Sequence, residues 1–334
     1  MSDDEILDRL RADGLISSTH PTLTPFGGGV SSDVWRVDDG AHTFVVKRSV
    51  AKLRVAADWF SDPARLRCEF LYLQTAAEIL PDAVPRLLSS DPDAPFIALE
   101  YLGEGFENWK SRLLNADLRE ADAYRAGAIL GQIHAATRDS TEIAQRFERI
   151  DFFVQLRVDA YLRATATKQA PDVAAAIEAE AHRLTTHREC LVHGDFSPKN
   201  MLASTERFVV LDCETACHGD PAFDLAFVLN HLCLKALFHA PRHIGFAPLI
   251  EALLTAYRGA DPKHATAVEE RSATLLPILL LARADGKSPV EYLDDPKREV
   301  IRQFAPSWIT APSPTLAPLV FAWLARVRAL TTNP

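Results

Sequence analysis

The sequence predicts an α+β protein of two unequal lobes, a β-rich part over residues 1–102 and a helical part over 103–334. Three observations lead there. Short β-branched runs separated by turn residues crowd the first hundred positions. Apolar residues at helical spacing dominate after about residue 106. A strand-like island, CLVHGDFSPKNMLA followed by RFVVLDCET, interrupts the helices between 190 and 215.

Residues 4–13 read as a short helix, followed by a glycine-rich turn, PFGGGVSSD (25–33). VWRV (34–37) and TFVVKRS (43–49), joined through DDG (38–40), read as strand, turn and strand. Over 63–79, Leu66, Phe70, Leu73 and Ala77 recur at helical spacing. PRLLSS (85–90) and PFIALEYL (95–102) are further strand candidates, and the switch near 100–106 is the expected hinge. The segment 117–137 puts Leu118, Ala121, Ala128, Ile129, Ile133 and His134 on one helical face. Helices are also expected at 151–167, 171–188, 221–239, 246–258, 262–284, 289–303 and 315–330.

Composition narrows the function. Of 334 residues, 48% are hydrophobic and 24% charged, the balance of a chain with a substantial core. The net charge of −9 argues against a general nucleic-acid binder, which needs Lys and Arg to neutralise phosphates. The same acidic balance would suit a cationic small molecule. The apolar stretch LLPILLLA (275–282) is too short to span a bilayer, so no membrane partner is expected. MSDDEILDRL lacks the basic and apolar regions of a signal peptide. Cys68, Cys190, Cys213, Cys217 and Cys233 are scattered without a CxxC pair. A cytoplasmic protein with reduced thiols is the expectation.

The chemistry concentrates in VHGDFSPKNML and VVLDCE. Asp195, Asn200 and Asp212 end or follow short apolar runs, the way a sheet edge presents side chains to a cleft. Phosphoryl transfer needs one carboxylate to orient a hydroxyl nucleophile and oxygen ligands for Mg²⁺, which an Asn/Asp pair supplies. The H-x-D-x-x-x-x-N spacing, with an Asp 12 residues past the Asn, matches the catalytic-loop and metal-Asp signatures of kinases. Upstream elements arrive in the matching order. Gly27, Gly28 and Gly29, with Ser31 and Ser32, form a turn able to offer backbone N–H groups to phosphates. Lys47 follows about eighteen residues later at the end of a strand, placed to reach α/β-phosphates. Glu69, on the next helix, is its candidate partner. Turn-capping carboxylates and a solvated helical glutamate are the plainer readings of each piece alone; the order of all five makes them the weaker account.

On these residues the chain resembles the aminoglycoside phosphotransferase and choline kinase-like branch of the protein-kinase-like superfamily. The likeness runs from GGGVSSDVWRV to the terminal helices and is sharpest in LVHGDFSPKN and VVLDCETACHGDPAFDLAFVLNHL. It implies a protein-kinase-like bilobal fold and transfer of the γ-phosphate of ATP (or GTP) to a hydroxyl of an amino sugar, amino alcohol or sugar. It implies Asp195 as catalytic base or hydroxyl-orienting group, and Asn200 and Asp212 as Mg²⁺ ligands. Lys47 would bind nucleotide phosphates with Glu69 beside it, and the backbone of Glu100, Tyr101 and Leu102 would bond the adenine.

Some positions depart from the pattern or support it. Cys213 replaces the aromatic residue common after the metal Asp, and Ser197 stands where protein kinases place a lysine. Lys199 is therefore read as the cation for the γ-phosphate, with a solvated loop lysine as the alternative. His193 is read as a brace for the loop, and Asp224 as a buried acceptor of its backbone N–H groups. Asp220, before Pro221, is read as a helix cap. Glu214 is open between the metal region and the acceptor. His231 and His239 are read as packing residues. Gly286-Lys287-Ser288 lacks the leading glycine of a phosphate-binding loop and is read instead as lying near the acceptor pocket. A nucleotide-binding, non-catalytic regulator of the same fold is the competing reading, and the intact Asp195, Asn200 and Asp212 set weighs against it.

Overall fold

A computed structural model describes residues 3–26, 32–49, 62, 64–90, 96–240 and 245–330. The glycine turn at 27–31, including Gly28, Gly29 and Ser31, lies outside the described residues.

The N-terminal part is an antiparallel five-stranded sheet, in the order β1-β2-β3-β5-β4, flanked by two helices. The elements are α1 (Asp3–Ala12), β1 (Thr22–Pro25), β2 (Ser32–Asp38), β3 (Thr43–Ser49), α2 (Arg65–Ile79), β4 (Leu87–Ser90) and β5 (Phe96–Glu100). Strand alternation explains how the sheet divides its side chains. Phe44 and Val46 of β3 face Ile6 and Leu10 of α1 in a small separate core with Val37, Phe96 and Ala98. Residues of the opposite parity, Val45 on β3 with Ile97 and Leu99 on β5, join the main core with Leu66, Tyr72 and Leu73 of α2. Lys47 shares the parity of Val45, so it points toward α2. A crevice between α1 and the sheet, bounded by Leu10, Leu23, Trp35 and Val46, is apolar and belongs to this packing.

The rest is mostly helical. It comprises β6 (Glu107–Asn108), α3 (Trp109–Leu114), α4 (Glu120–Thr137), α5 (Thr141–Arg146), α6 (Asp151–Phe153), α7 (Ala164–Ala166) and α8 (Pro171–Thr186). Then come β7 (Cys190–Val192), β8 (Met201–Ala203), β9 (Phe208–Val210), β10 (Cys217–Gly219) and α9 (Ala222–Phe238). The chain continues through α10 (Phe246–Ala260), α11 (Ala265–Asp285), α12 (Asp295–Thr310) and α13 (Leu316–Ala329). Helix α9 is buried on every face except at its last residue, as its near-continuous apolar sequence requires. Helices α4 and α10 approach closely at Gly127, where a Cβ would stand 2.1 Å from the Leu253 carbonyl oxygen. The island predicted between 190 and 215 supplies β7, β8 and β9 to two small ladders, β10–β7 and β6–β8–β9, whose β6 and β10 lie outside it.

Several helices differ from the sequence expectation. The last-but-one helix begins at Asp295, not 289, because Asp294 caps it by accepting from the Lys297 N–H (3.0 Å) and Pro296 occupies its first turn. The helix expected from 262 begins at Ala265. The helix expected over 151–167 is π-helical from Val154 to Arg163, a register that apolar periodicity does not announce.

Candidate active site

The loop after β7 carries the HGD sequence. Gly194 has φ +76°, and a Cβ there would stand 2.6 Å from Thr215 Oγ1, so the turn requires glycine. Asp224, fully buried at the start of α9, accepts hydrogen bonds from the backbone N–H groups of His193 (2.6 Å) and Gly194 (2.9 Å). His134 Nε2 lies 3.5 Å from the same carboxylate. The His193 ring accepts the Asp195 N–H at Nδ1 (3.1 Å), which leaves Nε2 to donate to the Leu211 carbonyl (3.1 Å). Burial lowers the His193 pKa, keeping the neutral ring that this arrangement uses. Asp220 accepts from the Ala222 N–H (2.9 Å) and pairs with Arg183 and with Arg271 Nε (3.2 Å).

Asp195 is 3% exposed, and three side chains meet its carboxylate. Arg157 Nη2 lies 3.0 Å and Lys199 Nζ 2.9 Å from Oδ2, and Ser197 Oγ lies 3.4 Å from Oδ1. Burial acts to raise the Asp195 pKa, but Arg157 and then Lys199 overcome it and leave the carboxyl below its ordinary value. Arg157 also donates through Nε to the Gly194 carbonyl (2.6 Å), so one guanidinium holds both the loop backbone and the carboxylate. Lys199 keeps half of its side chain exposed at 52%.

Asp212 follows β9 at φ +62°, a backbone conformation uncommon for a non-glycine residue. Its Oδ1 accepts from Lys47 Nζ at 2.5 Å, and Lys47 also donates to Glu69 Oε2 at 2.6 Å. Burial opposes the Lys47 charge, but Asp212 and Glu69 more than offset it and raise the lysine's pKa well above normal. Burial pushes Glu69 up to about 7, with Lys47 pulling the other way. Asn200, in the turn Pro198–Asn200, donates its Nδ2 to the Asp195 carbonyl (3.0 Å). That leaves the Asn200 amide oxygen as an acceptor without a hydrogen-bond partner among the described residues. An amide oxygen and a carboxylate are donors of the kind Mg²⁺ takes, since this ion usually binds one or two protein oxygens and completes its shell with phosphates and water. The residues present therefore fit Mg²⁺.

The other predicted positions are placed as follows. Ser32 is buried at the start of β2 opposite Ser49. Glu100 ends β5; its N–H donates to the Arg86 carbonyl (2.9 Å) and its carboxylate pairs with Arg207 Nη1 (2.9 Å). Leu102 is half-buried just beyond the sheet, and Tyr101 lies 6.3 Å from the Phe26 ring at the entry to the glycine turn. Cys213 is buried with its sulfur 3.8 Å from the Glu69 carbonyl. Glu214 pairs with the fully buried Arg65 of α2 at 2.9 Å. Sequence reasoning missed Arg65, Arg157 and Arg207. Arg157 does not stand out in the run FFVQLRVDAYL, which also carries Gln155 and Asp159.

No helix among the described residues is long and apolar enough to cross a membrane, and among them no three His, Cys, Asp or Glu side chains form a metal cluster. The chain is 21% identical over 241 residues to methylthioribose kinase from Bacillus cereus (strain G9842), a match covering 63% of this chain and 60% of that relative. Its fold resembles that of a choline/ethanolamine kinase family protein from Mesorhizobium loti, with a TM-score of 0.55 and 20% identity over 98% of this chain and 100% of the other. It also resembles an amicoumacin kinase solved in complex with AMP-PNP and Ca²⁺, with a TM-score of 0.56 and 13% identity over 93% of this chain and 94% of that one. These likenesses carry the protein-kinase-like bilobal fold. The family model of the APH phosphotransferases, the phosphotransferase enzyme family, matches residues 22–267, and the chain belongs to that family.

Proposed function

We propose that the protein transfers the γ-phosphate of ATP (or GTP) to a hydroxyl of a small molecule. The observation that carries this reading is the convergence of Asp195, Asn200, Asp212, Lys47 and Glu69 from four separate stretches of sequence: Lys47 holds Glu69 and Asp212, Asn200 holds the Asp195 carbonyl, and the N–H of Leu211, next to Asp212, donates to the Asn200 carbonyl (2.8 Å). Residues 1–102 serve as the nucleotide-binding lobe, with Lys47 and the N–H groups of the turn bearing Gly28, Gly29, Ser31 and Ser32 toward the phosphates. The backbone of Glu100 and Leu102 lies along the base. Residues 103–334 carry the catalytic loop and the acceptor site. His193, Asp220 and Asp224 support the loop.

Asp195 accepts the hydrogen bond of the acceptor hydroxyl and so aims its oxygen at the γ-phosphorus. That oxygen bonds to phosphorus as the bond from phosphorus to the β,γ-bridging oxygen breaks, and the hydroxyl proton passes to Asp195. A carboxyl held below its ordinary pKa is a weak base, so Asp195 works mainly by orientation and takes the proton late. Asn200 and Asp212 would hold Mg²⁺, which neutralises phosphate charge when bound. Lys199, next to Asp195 and half-exposed, is free to turn from that carboxylate to a γ-phosphate oxygen.

The competing reading, a nucleotide-binding regulator without turnover, differs in one measurable way. Acceptor-stimulated ADP formation should fall by about two to four decades in Asp195→Asn while ATP binding persists. Near-normal turnover in that variant would sink the assignment.

A further inference from the structure

Six Lys and Arg side chains are buried among the described residues: Lys47, Arg65, Arg112, Arg157, Lys235 and Arg283. Four of them face carboxylates, Glu69 and Asp212, Glu214, Asp122, and Asp195 respectively. Lys235 and Arg283 do not. Neither forms an ion pair with any described carboxylate. Lys235, on α9, is 1% exposed and makes no side-chain hydrogen bond among the described residues; its ammonium lies 5.2 Å from the centre of the Tyr292 ring. Arg283, on α11, is 9% exposed and donates from Nη1 to Tyr161 Oη (3.1 Å), Ser288 Oγ (3.1 Å) and the Ser288 carbonyl. Its Nε and the Tyr292 hydroxyl are both buried without a partner. Removing a charge from water without an opposite charge is costly, and such groups ordinarily find a partner.

These cations neighbour the catalytic loop. The Tyr161 ring stands between Arg157, at 5.9 Å, and Arg283, at 5.4 Å, and Arg157 is the residue that holds Asp195. Phe227 continues from Tyr161 (5.7 Å) to His231 (5.1 Å), which lies one helical turn before Lys235. His231 titrates well below its usual range through burial and then the charges of Lys235, Arg283, Lys199 and Lys110, so all four cations act on one neighbourhood. The nearby acid, Glu291, is mostly exposed and already engaged by Lys110. The loop that bears Ser288 and Tyr292 is the one read from sequence as bordering the acceptor.

We propose that the acceptor is a hydroxylated anion, its carboxylate or phosphate group held by Lys235 and Arg283 while its hydroxyl meets Asp195. This rests on the phosphotransferase reading. It reverses the expectation, drawn from the net charge of −9, that a cationic acceptor suits the chain. Net charge describes the whole surface, whereas the acceptor meets only the groups that line its site. A guanidinium with an unpartnered Nε and an ammonium without an ion-pair partner are the donor types that bind oxyanions.

The test uses four probes built on the same six-carbon gluco skeleton, gluconate as an open chain and glucose 6-phosphate, glucose and glucosamine as rings. Each is titrated against the whole protein while the melting temperature is followed, since a ligand of the folded state raises it. ADP formation with ATP and Mg²⁺ is followed in parallel. One or both anions should bind at least about tenfold more tightly than glucose or glucosamine. Comparison of gluconate with glucose 6-phosphate separates carboxylate from phosphate. Lys235→Met and Arg283→Met should each abolish that preference. The inference is overturned if glucose or glucosamine matches the better anion, or if the preference survives in both variants. Failure of the phosphotransferase reading would look different: anion binding would persist while Mg²⁺-ATP gave neither protection nor Asp195-dependent turnover.

Discussion

Lys47 and Lys235 are both lysines buried in the same molecule, and they titrate in opposite directions. Lys47 sits between Glu69 and Asp212, and despite its burial its pKa is raised. Lys235 has no ion-pair partner among the described residues, and burial, then Lys110 and Arg283, outweigh the more distant Glu291 and bring it down to about 7. The difference teaches which ligands each region awaits. On the side proposed for the nucleotide, charges are balanced within the chain, so on that reading binding exchanges one set of partners for another. On the side proposed for the acceptor, that balance is missing among the described residues, and an anion from outside would complete it. A preorganised site of the first kind tolerates ligand release; one of the second kind selects its ligand by charge.

The largest effect that separates the two regions should come from Lys47→Met. The substitution leaves Glu69 and Asp212 without their cation, and on the proposed reading it removes the positive charge that meets the phosphates. Turnover should fall by about two to three decades, the range for losing one preorganised charge at a reacting centre. The melting temperature should fall as well, because breaking a buried pair strands the remaining charges. Steady-state kinetics and a thermal melt check both. A Lys47→Met protein as active and as stable as the parent would mean that the lysine's two carboxylates need no cation and that the contrast with Lys235 is empty.

A smaller effect is expected at Lys199, which stands between the two regions. Its ammonium pairs with Asp195 at 2.9 Å yet is half-exposed, so it can leave that pair when phosphate charge arrives. Lys199→Met keeps the stem and removes the charge. If the side chain follows the γ-phosphoryl group, kcat should fall by about one to two decades with little change in ATP affinity. Single-turnover rates and an ATP titration measure the two separately. A kcat within about twofold of the parent would return Lys199 to the role of a solvated partner of Asp195.

How much of this was legible in the sequence follows from what each residue is surrounded by along the chain. Asp195, Asn200 and Asp212 stand in short segments whose spacing is itself the signal, and Lys47 is fixed to the inner face of β3 by strand alternation. The sheet and the long helices were readable because their apolar periodicity is imposed by burial on one face. Arg157 was not readable as a site residue, because it lies in a helix candidate whose π-helical register shifts side chains off the expected stripe. Arg65 and Arg207 were hidden for another reason: their partners, Glu214 and Glu100, lie more than a hundred residues away in sequence. Lys235 was hidden most thoroughly. In LNHLCLKALFH it looks like the polar edge of an amphipathic helix, and only the packing of α9 against its neighbours on every side shows that no polar edge exists.

The smallest expected effect is also the one that bears most directly on the two lysines. An ordinary lysine in an unfolded chain titrates near 10.4, whereas Lys235 in the fold titrates at about 7. Between those values the unfolded chain binds a proton that the folded one does not, so stability rises with pH across that window. As pH falls from about 10 to about 7 this contribution is lost, and below 7 the folded protein carries the full cost of a buried ammonium. The groups facing it are Lys110 from α3, Arg283 from α11, His231 on its own helix, and Tyr292 and Glu291 from the loop before α12. Neither of the two carboxylates that hold Lys47 is among them. Lys235→Met removes the charge and keeps the volume. Without acceptor, the variant should therefore be more stable than the parent by on the order of 1–2 kcal/mol near pH 6.5. The gap should narrow toward pH 9.5, where the parent's lysine is already neutral. Urea unfolding at the two pH values measures it. A gap that does not change with pH would show that Lys235 carries the same charge in both states. A parent more stable than the variant at pH 6.5 would show that the chain itself already supplies the partner which the structure leaves to the acceptor.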